Sequence, residues 1–344
     1  MPQSETPQPN QAMPPQLAIL QMASGYWVSQ SIYVAAKLGI ADLLKDSPKS
    51  CDDLATATGT NAPSLYRLLR ALASLGVFAE TELNQFTLTP LAACLQSDVP
   101  NSFRAFVILL GEEHYRAWGD LLHGVQTGGS PFENVYGMNL FDYLAQNPSA
   151  KIFDESMTNA SAIESATIAA SYDFSSIQTL VDIAGGEGLL IASILKSNPT
   201  LKGVLFDRPH VIERAKRFLE AEGVLERCQL AAGSFFESVP EGGDAYILKH
   251  IILDWDDERA IAILKQCHKV MPANGKILVA EQVIPPGNEP FMGKLLDLTM
   301  LVITPGGRER TEAEYRALFE KAGFKLTRIV PTQDEISIIE GIRV

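Results

Sequence analysis

Basic residues are scarce in this sequence relative to acidic ones. It has 28 Lys and Arg against 41 Asp and Glu, which gives a formal net charge of −13. Nucleic acids and anionic membrane surfaces both attract basic proteins, so we predict that the chain binds neither. Apolar residues form 46% of the chain and charged residues 20%, which is typical of a globular protein with a sizeable core.

Cysteines and long apolar runs are also few. The four cysteines lack CxxC spacing, which predicts reduced thiols, with neither a disulfide framework nor a metal site. No apolar stretch approaches the roughly 20 residues that a membrane span needs. Residues 1–15 are rich in Pro, Gln and Ser and lack a basic start, so we predict a disordered tail and no signal peptide. These absences favour a cytoplasmic protein.

Residues 16–100 carry mainly helical patterns. A helical pattern begins at Leu17, and Ser50 and Asn61 each precede another predicted helix. After Gly76, two short alternating runs flank a polar turn, which predicts a β-hairpin. A helix, a second helix and a hairpin in this order predict a winged helix-turn-helix.

Winged helices are often DNA-binding modules, but the charge of this one argues against that function. The second helix of the motif carries only Arg67 and Arg70 as cations, and the whole chain is acidic. The helix from Leu17 through Val34 is apolar on more than one face, as expected of an element buried between subunits. We therefore predict a dimerisation domain and a homodimer.

The remainder of the chain divides at about residue 170. Residues 101–170 predict a helical linker that contributes to an acceptor pocket, and residues 171–344 alternate strand and helix patterns. This alternation predicts a parallel sheet covered by helices on both faces, that is, an α/β Rossmann-like domain. The predicted strands are Thr179–Ala184, Lys202–Asp207, Asp244–Lys249 and Gly275–Glu281.

A glycine-rich loop follows the first of these strands. The run Val181-Asp-Ile-Ala-Gly-Gly-Glu-Gly188 lets the backbone turn tightly and approach a ligand closely. Asp207 ends the next strand, where a carboxylate can hold ribose hydroxyls. Both NAD and S-adenosylmethionine contain a ribose, so these two motifs do not distinguish the cofactors.

Four later motifs occur in a characteristic order. They are Gly233-Ser-Phe-Phe, Leu248-Lys-His-Ile-Ile-Leu-Asp-Trp-Asp-Asp-Glu258, Val279-Ala-Glu281 and Pro305-Gly-Gly-Arg-Glu-Arg-Thr311. With them the chain, from about residue 16 to its end, resembles the plant-type O-methyltransferase family of caffeate and flavonoid enzymes and their bacterial natural-product relatives. The resemblance implies a class I methyltransferase domain, an N-terminal winged-helix dimerisation domain, S-adenosylmethionine as cofactor and a small-molecule substrate.

The resemblance also implies roles for individual residues. Acceptor contacts fall on Met157, Met300 and Thr304, and His114, Phe153 and Asp254 are further candidates for the acceptor site. Cofactor contacts fall on Ser161, Asp182, Gly185, Gly186, Gly188, Asp207, Arg208, Ser234, Phe235 and Lys249. The family's first loop glycine is replaced by Ala184, which we expect only to tighten the loop, and its adenine-side Asp is replaced by Ser234.

The most consequential departure lies at the catalytic base. Where the family carries a histidine before Asp-Trp, this chain has Leu253, which cannot take a proton. Glu281 and Glu309 match the glutamates that orient that histidine, and they are alternative bases if they face the pocket. His250 is a further candidate base and His114 a candidate substrate contact, each with an ordinary structural role as its alternative.

Three functions are compatible with these motifs. The first is a small-molecule O-methyltransferase whose acceptor is an enol, a polarised phenol or a carboxylate acidic enough to arrive ionised. The second keeps the fold and cofactor for cyclisation, pericyclic rearrangement, decarboxylation or hydroxylation. The third is a partner subunit without catalysis. The intact cofactor motifs favour an enzyme, and we predict the first function.

Overall fold

The structure is a computed structural model that describes residues 13–100, 102–147 and 149–344, with the side chains at positions 154, 159, 160 and 163 left out. Most of the predicted tail, residues 1–12, lies outside the described residues. The chain divides into two compact units, the first ending at Gly111 and the second beginning at Glu112. Among the described residues, no helix is long and apolar enough to cross a membrane.

The first unit consists of short helices and a small sheet. The helices are α1 (Pro15–Ala23), α2 (Gly25–Lys37), α3 (Ile40–Leu43), α4 (Cys51–Thr58), α5 (Ala62–Ser74), α6 (Pro90–Ala93) and α7 (Arg104–Leu109). The strands are β1 (Lys49–Ser50), β2 (Phe78–Glu82) and β3 (Gln85–Leu88), which pair antiparallel in the order β1-β3-β2.

Capping residues explain where several of these elements begin and end. Ser50 Oγ accepts a hydrogen bond from the Asp53 amide at 3.1 Å, which starts α4 as predicted. The predicted hairpin is confirmed by β2 and β3. The prediction of one continuous helix from Leu17 is wrong, because α1 ends at Ala23 and the Ser24 hydroxyl donates to the carbonyl of Leu20 at 2.8 Å.

The second unit holds the larger sheet and its covering helices. A π-helical turn, Leu110–His114, precedes α8. The helices are α8 (Tyr115–Trp118), α9 (Leu121–Thr127), α10 (Pro131–Tyr136), α11 (Leu140–Gln146), α12 (Ala150–Ser171), α13 (Leu189–Ser197), α14 (Pro209–Ala221), α15 (Asp257–Val270), α16 (Gly293–Ile303) and α17 (Glu312–Ala322). The strands are β4 (Thr179–Ile183), β5 (Lys202–Asp207), β6 (Cys228–Ala232), β7 (Ala245–Lys249), β8 (Lys276–Ile284), β9 (Arg310–Thr311), β10 (Phe324–Pro331) and β11 (Ile336–Arg343).

Within the described residues these eight strands form one sheet in the order β10-β11-β8-β7-β4-β5-β6, with β9 paired to β8. The strands from β4 to β8 are parallel, and the four predicted strands are confirmed. The prediction of a purely parallel sheet is wrong at one edge, where β10 and β11 run antiparallel. A short connection joins these two strands, and a short connection forces an antiparallel pair.

The topology places one set of loops together. β4 lies between β5 and β7, and all three strands run in the same direction. Their carboxyl ends therefore meet at one edge of the sheet, where open α/β sheets bind their ligands. The segments that follow these strands carry the glycine loop, Asp207 and Lys249.

Candidate active site

The glycine loop after β4 has little space for side chains. A Cβ added to Gly185 would lie 2.4 Å from Asp182 Oδ2, so only glycine fits there. Gly186 has a φ of +60°, and nothing lies within 4 Å of the place where its Cβ would be. Gly188, with a φ of +91°, precedes α13. This leaves a bare backbone beside a helix N-terminus, which fits the methionyl part of S-adenosylmethionine.

Ala184, which replaces the family's first glycine, has a φ of +56°. This left-handed conformation costs an L-residue about 1–2 kcal/mol. The replacement therefore carries an energetic cost in addition to the predicted tightening of the loop, because the alanine occupies a strained backbone position. Its amide is held by the carbonyl of Phe206 at 2.7 Å.

Asp207 fastens the glycine loop to the end of β5. Its Oδ2 accepts a hydrogen bond from the Gly186 amide at 2.9 Å, and its Oδ1 accepts from the Arg208 amide at 2.6 Å. Burial raises the pKa of this carboxyl above its ordinary value. Each carboxylate oxygen accepts two hydrogen bonds, so Asp207 retains capacity for two ribose hydroxyls.

Lys249 and His250, at the end of β7, both contact helix α12. Lys249 Nζ donates to Ser161 Oγ at 2.6 Å and to Glu164 Oε2 at 3.2 Å. His250 Nε2 lies 3.0 Å from the same Glu164 oxygen, and His250 has a φ of +53°. The His250 and Lys249 contacts hold the pKa of Glu164 at about 2 although burial opposes this. The predicted cofactor residues Ser161 and Lys249 thus lie together, and His250 contacts Glu164.

Glu281 is fully buried beneath the turn that follows β7. Its Oε1 accepts hydrogen bonds from the amides of Ile251, Ile252 and Leu253 at 2.7–3.1 Å. Its Oε2 accepts from the Tyr315 hydroxyl at 2.5 Å. The hypothesis that Glu281 faces the pocket as a free base is therefore wrong, because its two oxygens fix the backbone on which Leu253 stands.

The carboxyl groups of Glu309 and Asp254 also lie near this turn, but they do not accept hydrogen bonds from its backbone amides as Glu281 does. Glu309 is 4% exposed, and its Oε2 has no partner among the described residues. Burial, together with the neighbouring Glu281 and Asp297, raises its pKa to about 9. Burial and Glu281 raise the pKa of Asp254 to about 8. Both groups are therefore mainly protonated at neutral pH.

Two histidines are predicted site residues, His250 as a base and His114 as a substrate contact. His250 is engaged with Glu164, as described above. His114 is 6% exposed at the end of the π-helical turn, and neither ring nitrogen has a partner within the described part of the chain. Burial lowers the pKa of His114 to about 4, so its imidazole is neutral at physiological pH and only weakly basic.

The predicted acceptor residues are partly brought together. Phe153 and Met300 pack against one apolar cluster that includes Leu140 and Ile303. Met157 is 37% exposed and belongs to none of the buried clusters of the described chain. Thr304 is buried, and its hydroxyl donates to the carbonyl of Met300 at 2.7 Å.

A cavity of about 210 Å³ lies between the cofactor motifs and this apolar cluster. Trp255 and Phe141 both line it and are stacked, with ring centroids 6.4 Å apart and an angle of 19° between the planes. Phe235, beside Ser234 in the predicted adenine segment, makes an edge-to-face contact with Trp255. The cavity is lined by Asn139, Leu140, Phe141, Asp142, Arg208, Asp254, Trp255, Arg259, Ile303, Thr304 and Pro305.

Among residues 13–100, 102–147 and 149–344, no group of His, Cys, Asp and Glu is arranged to hold a metal ion.

Comparison with known proteins identifies the family of the chain. Residues 118–325 match the O-methyltransferase domain model, and residues 20–98 match the O-methyltransferase dimerisation domain. The chain belongs to the O-methyltransferase family.

The chain is 49% identical to the phenazine O-methyltransferase PhzM of Lysobacter antibioticus, over 96% of this chain and 97% of that protein. A 3-amino-4-hydroxybenzoate 4-O-methyltransferase of Streptomyces cremeus is 39% identical over 90% of this chain and 86% of that protein. The crystal structure of LaPhzM matches with a TM-score of 0.92 and 48% identity, covering 96% of this chain and all of that one.

These matches confirm the fold class and the reaction class. The chain is an S-adenosylmethionine-dependent methyltransferase with a Rossmann-like domain and an N-terminal dimerisation domain. Its relatives methylate oxygen or nitrogen atoms of natural products.

Sequence reasoning did not find Glu164, although it contacts both Lys249 and His250. Its signal was available, because Glu164 stands three positions after Ser161 on the same predicted helix and such residues share a face. An acidic residue next to an expected cofactor contact was the clue. Its partners follow 85 and 86 positions later, so the pairing required the fold.

Proposed function

We propose that this methyltransferase transfers a methyl group to an acidic hydroxyl of a planar aromatic natural product, without an imidazole at the position of Leu253. The single observation that carries the proposal is a contrast at one site. The glycine loop, Asp207 and Lys249, which fit the cofactor, are present, whereas the base position holds a leucine that is 5% exposed. The aromatic substrates named for the two curated relatives support the acceptor class.

The residues of the chain perform three tasks in this reaction. Bound S-adenosylmethionine supplies an electrophilic methyl group, which the acceptor oxygen takes by in-line displacement. The glycine loop, Asp207 and Lys249 hold the donor, while Trp255 and Phe141 offer flat surfaces to a planar acceptor. Orientation of the two reactants then supplies much of the rate. Glu281 contributes indirectly, because it fixes the turn that carries Asp254.

Product analysis tests the proposal directly. The purified chain is incubated with methyl-labelled S-adenosylmethionine and a panel of hydroxylated phenazines and hydroxybenzoates. We expect one equivalent of S-adenosylhomocysteine for each methyl ether formed. Conversion of an acceptor without consumption of S-adenosylmethionine would instead support a non-methylating reaction. The absence of the catalytic histidine is the observation that favours this second candidate. No conversion of any hydroxylated acceptor would contradict the proposal.

A homodimer through α1 and α2 is the second part of the proposal. The apolar residues of these helices are unusually exposed: Leu17, Ile19, Leu20, Met22, Tyr26 and Trp27 are each at least half exposed. Monomeric proteins rarely expose contiguous apolar patches of this kind. Light scattering at micromolar concentration should give twice the chain mass, and Trp27→Glu should lower it. A monomeric parent would contradict this part.

A further inference from the structure

Three carboxyl groups stand near the position that Leu253 occupies, and they differ in what they face. Glu281 has no exposed surface, and its oxygens are committed to three backbone amides and a tyrosine hydroxyl. Glu309 is 4% exposed and is not part of the cavity wall. Asp254 lines the cavity beside Trp255 and Thr304. Only Asp254 therefore reaches the space in which an acceptor is expected.

The backbone places Asp254 with little freedom. It belongs to a 3-10 turn, Ile252–Asp254, whose first amides donate to Glu281. On the other side of this turn, the buried Arg310 guanidinium donates to the carbonyls of Ile252 and Trp255 at 3.1 and 2.9 Å. No hydrogen bond to the Asp254 carboxyl occurs within the described residues, so the group is held in position and is still available to a ligand.

We infer that the Asp254 carboxylate is the catalytic base that takes the hydroxyl proton of the acceptor. This inference rests on the proposed function. In the step, the acceptor O–H bond breaks and its proton passes to an Asp254 oxygen. The oxygen lone pair forms the new bond to the methyl carbon, while the S–CH3 bond breaks and its electron pair stays on sulfur. Asp254 then returns the proton to water.

The surroundings of Asp254 raise the pKa of its carboxyl, which makes it a stronger base toward the acceptor hydroxyl. An ordinary aspartate, with a pKa near 3.9, is a weak base toward a phenol with a pKa near ~10. Burial, followed by the charge of Glu281, raises the pKa of Asp254 to about 8, and a base near the operating pH transfers protons more effectively.

Several other charged groups face Asp254. Asp142, Arg208 and Arg259 line the same cavity. Glu309, which is itself influenced by the charge of Asp254, lies behind the wall, as does Arg310. The two cavity arginines favour the ionised form of an acceptor hydroxyl, because opposite charges attract. The pKa of Asp254 itself is raised by burial and then by the charge of Glu281.

The decisive variant is Asp254→Asn. Its control is Glu258→Gln, which makes the same carboxyl-to-amide change at an exposed residue of the same segment. Rates are measured at pH 7.5 with two hydroxyaromatic acceptors of similar shape. One is nitro-substituted and already ionised at this pH, and the other has a hydroxyl pKa near 10. S-adenosylhomocysteine affinity is measured by calorimetry on each protein.

We expect Asp254→Asn to lower kcat/KM about 10²–10⁴-fold for the un-ionised acceptor and only a few-fold for the ionised one. S-adenosylhomocysteine affinity and the Glu258→Gln variant should match the parent. Equal losses with both acceptors, or no loss with either, would overturn the inference. If the parent methylates neither acceptor but still binds S-adenosylhomocysteine, the proposed function fails first, and the inference fails with it.

A second variant tests the inference by a gain of activity instead of a loss. Adding Leu253→His to Asp254→Asn places an imidazole at the family's base position. We expect it to restore methylation of the un-ionised acceptor, since a proton acceptor is all that the site lacks. A double variant that binds S-adenosylhomocysteine yet remains inactive would overturn the inference, because Asp254 would then be needed for something other than the proton.

Discussion

The candidate site has two halves with opposite character: a donor half, formed by the glycine loop, Asp207, Lys249 and His250, and an acceptor half, formed by Asp254 and Glu309. In the first half, Lys249 and His250 are fastened to Glu164 on α12. In the second half, Glu309 Oε2 is buried without a partner among the described residues, and Asp254 lines the cavity. The contacts of Asp207, Lys249 and His250 are thus formed before any ligand arrives, whereas the acceptor half holds polar groups that a ligand can complete. Asp182, beside Gly185, is the exception in the donor half, because neither of its buried oxygens has a partner within the described part of the chain.

The difference between hydrogen-bonded and unpartnered groups has a consequence for stability. A buried polar group without a partner costs about 1–3 kcal/mol, so native proteins retain few of them. Glu309, Asp254 and the ring of His114 all lie in the second unit, and each has a pKa shifted mainly by burial. Such clusters of shifted pKa values are typical of functional sites.

Removing Glu281 should have the largest effect on stability, because it joins the two halves. Glu281→Ala leaves three backbone amides and the Tyr315 hydroxyl without their acceptor. We expect the free energy of unfolding to fall by about 3–5 kcal/mol, measured by urea denaturation. Glu312→Ala removes an exposed, ion-paired carboxylate and should change it by less than about 0.5 kcal/mol. If the two variants lowered the free energy of unfolding by similar amounts, the prediction for Glu281 would be wrong.

The bonded half is tested at Asp207. Asp207→Ala removes the carboxylate that ties Gly186 to β5 and is available to the ribose. We expect the S-adenosylmethionine dissociation constant to rise about 10- to 100-fold, since a charge-assisted hydrogen bond contributes roughly 1.5–3 kcal/mol. Calorimetry on this variant and on Glu213→Ala, an exposed change of equal charge, measures the difference. Unchanged affinity in Asp207→Ala would contradict the assignment.

The unpartnered half is tested by the pH dependence of stability at Glu309. Its pKa is raised to about 9 in the folded chain, against an ordinary value of 4.5, so the folded state holds a proton that the unfolded state releases. This contribution is fully present below pH 4.5 and is lost as the pH rises through 9. Glu309→Gln does not titrate, so we expect it to gain about 1–3 kcal/mol over the parent at pH 8 and little at pH 5.

Urea denaturation at several pH values measures this difference, with the exposed Glu320→Gln as the control. A gain from Glu309→Gln that is the same at pH 5 and pH 8 would show that Glu309 is ionised in the fold.

The sequence predicted the donor half better than the acceptor half, for a physical reason. The glycine loop, Asp207 and Lys249 directly follow buried parallel strands, which appear as continuous apolar runs and fix the position of what comes next. β10 was missed because its first residues alternate between buried and exposed at the edge of the sheet. β11 was also missed, although it is mostly buried and lies between β10 and β8. The different roles of Glu281, Glu309 and Asp254 depend on which carboxyl reaches the cavity, and no local pattern encodes that.

The most direct measurement of the central claim is the pH dependence of kcat/KM for the parent with an acceptor whose hydroxyl pKa is near 10. If Asp254 is the base, the rate should rise with pH and level off near pH 8, because the carboxylate form predominates above its pKa of about 8. A rate that levels off near pH 6.5, where an ordinary imidazole loses its proton, would identify a histidine as the base and contradict the account. A rate that rises until the acceptor itself ionises, near pH 10, would contradict it too, because the protein would then supply no base.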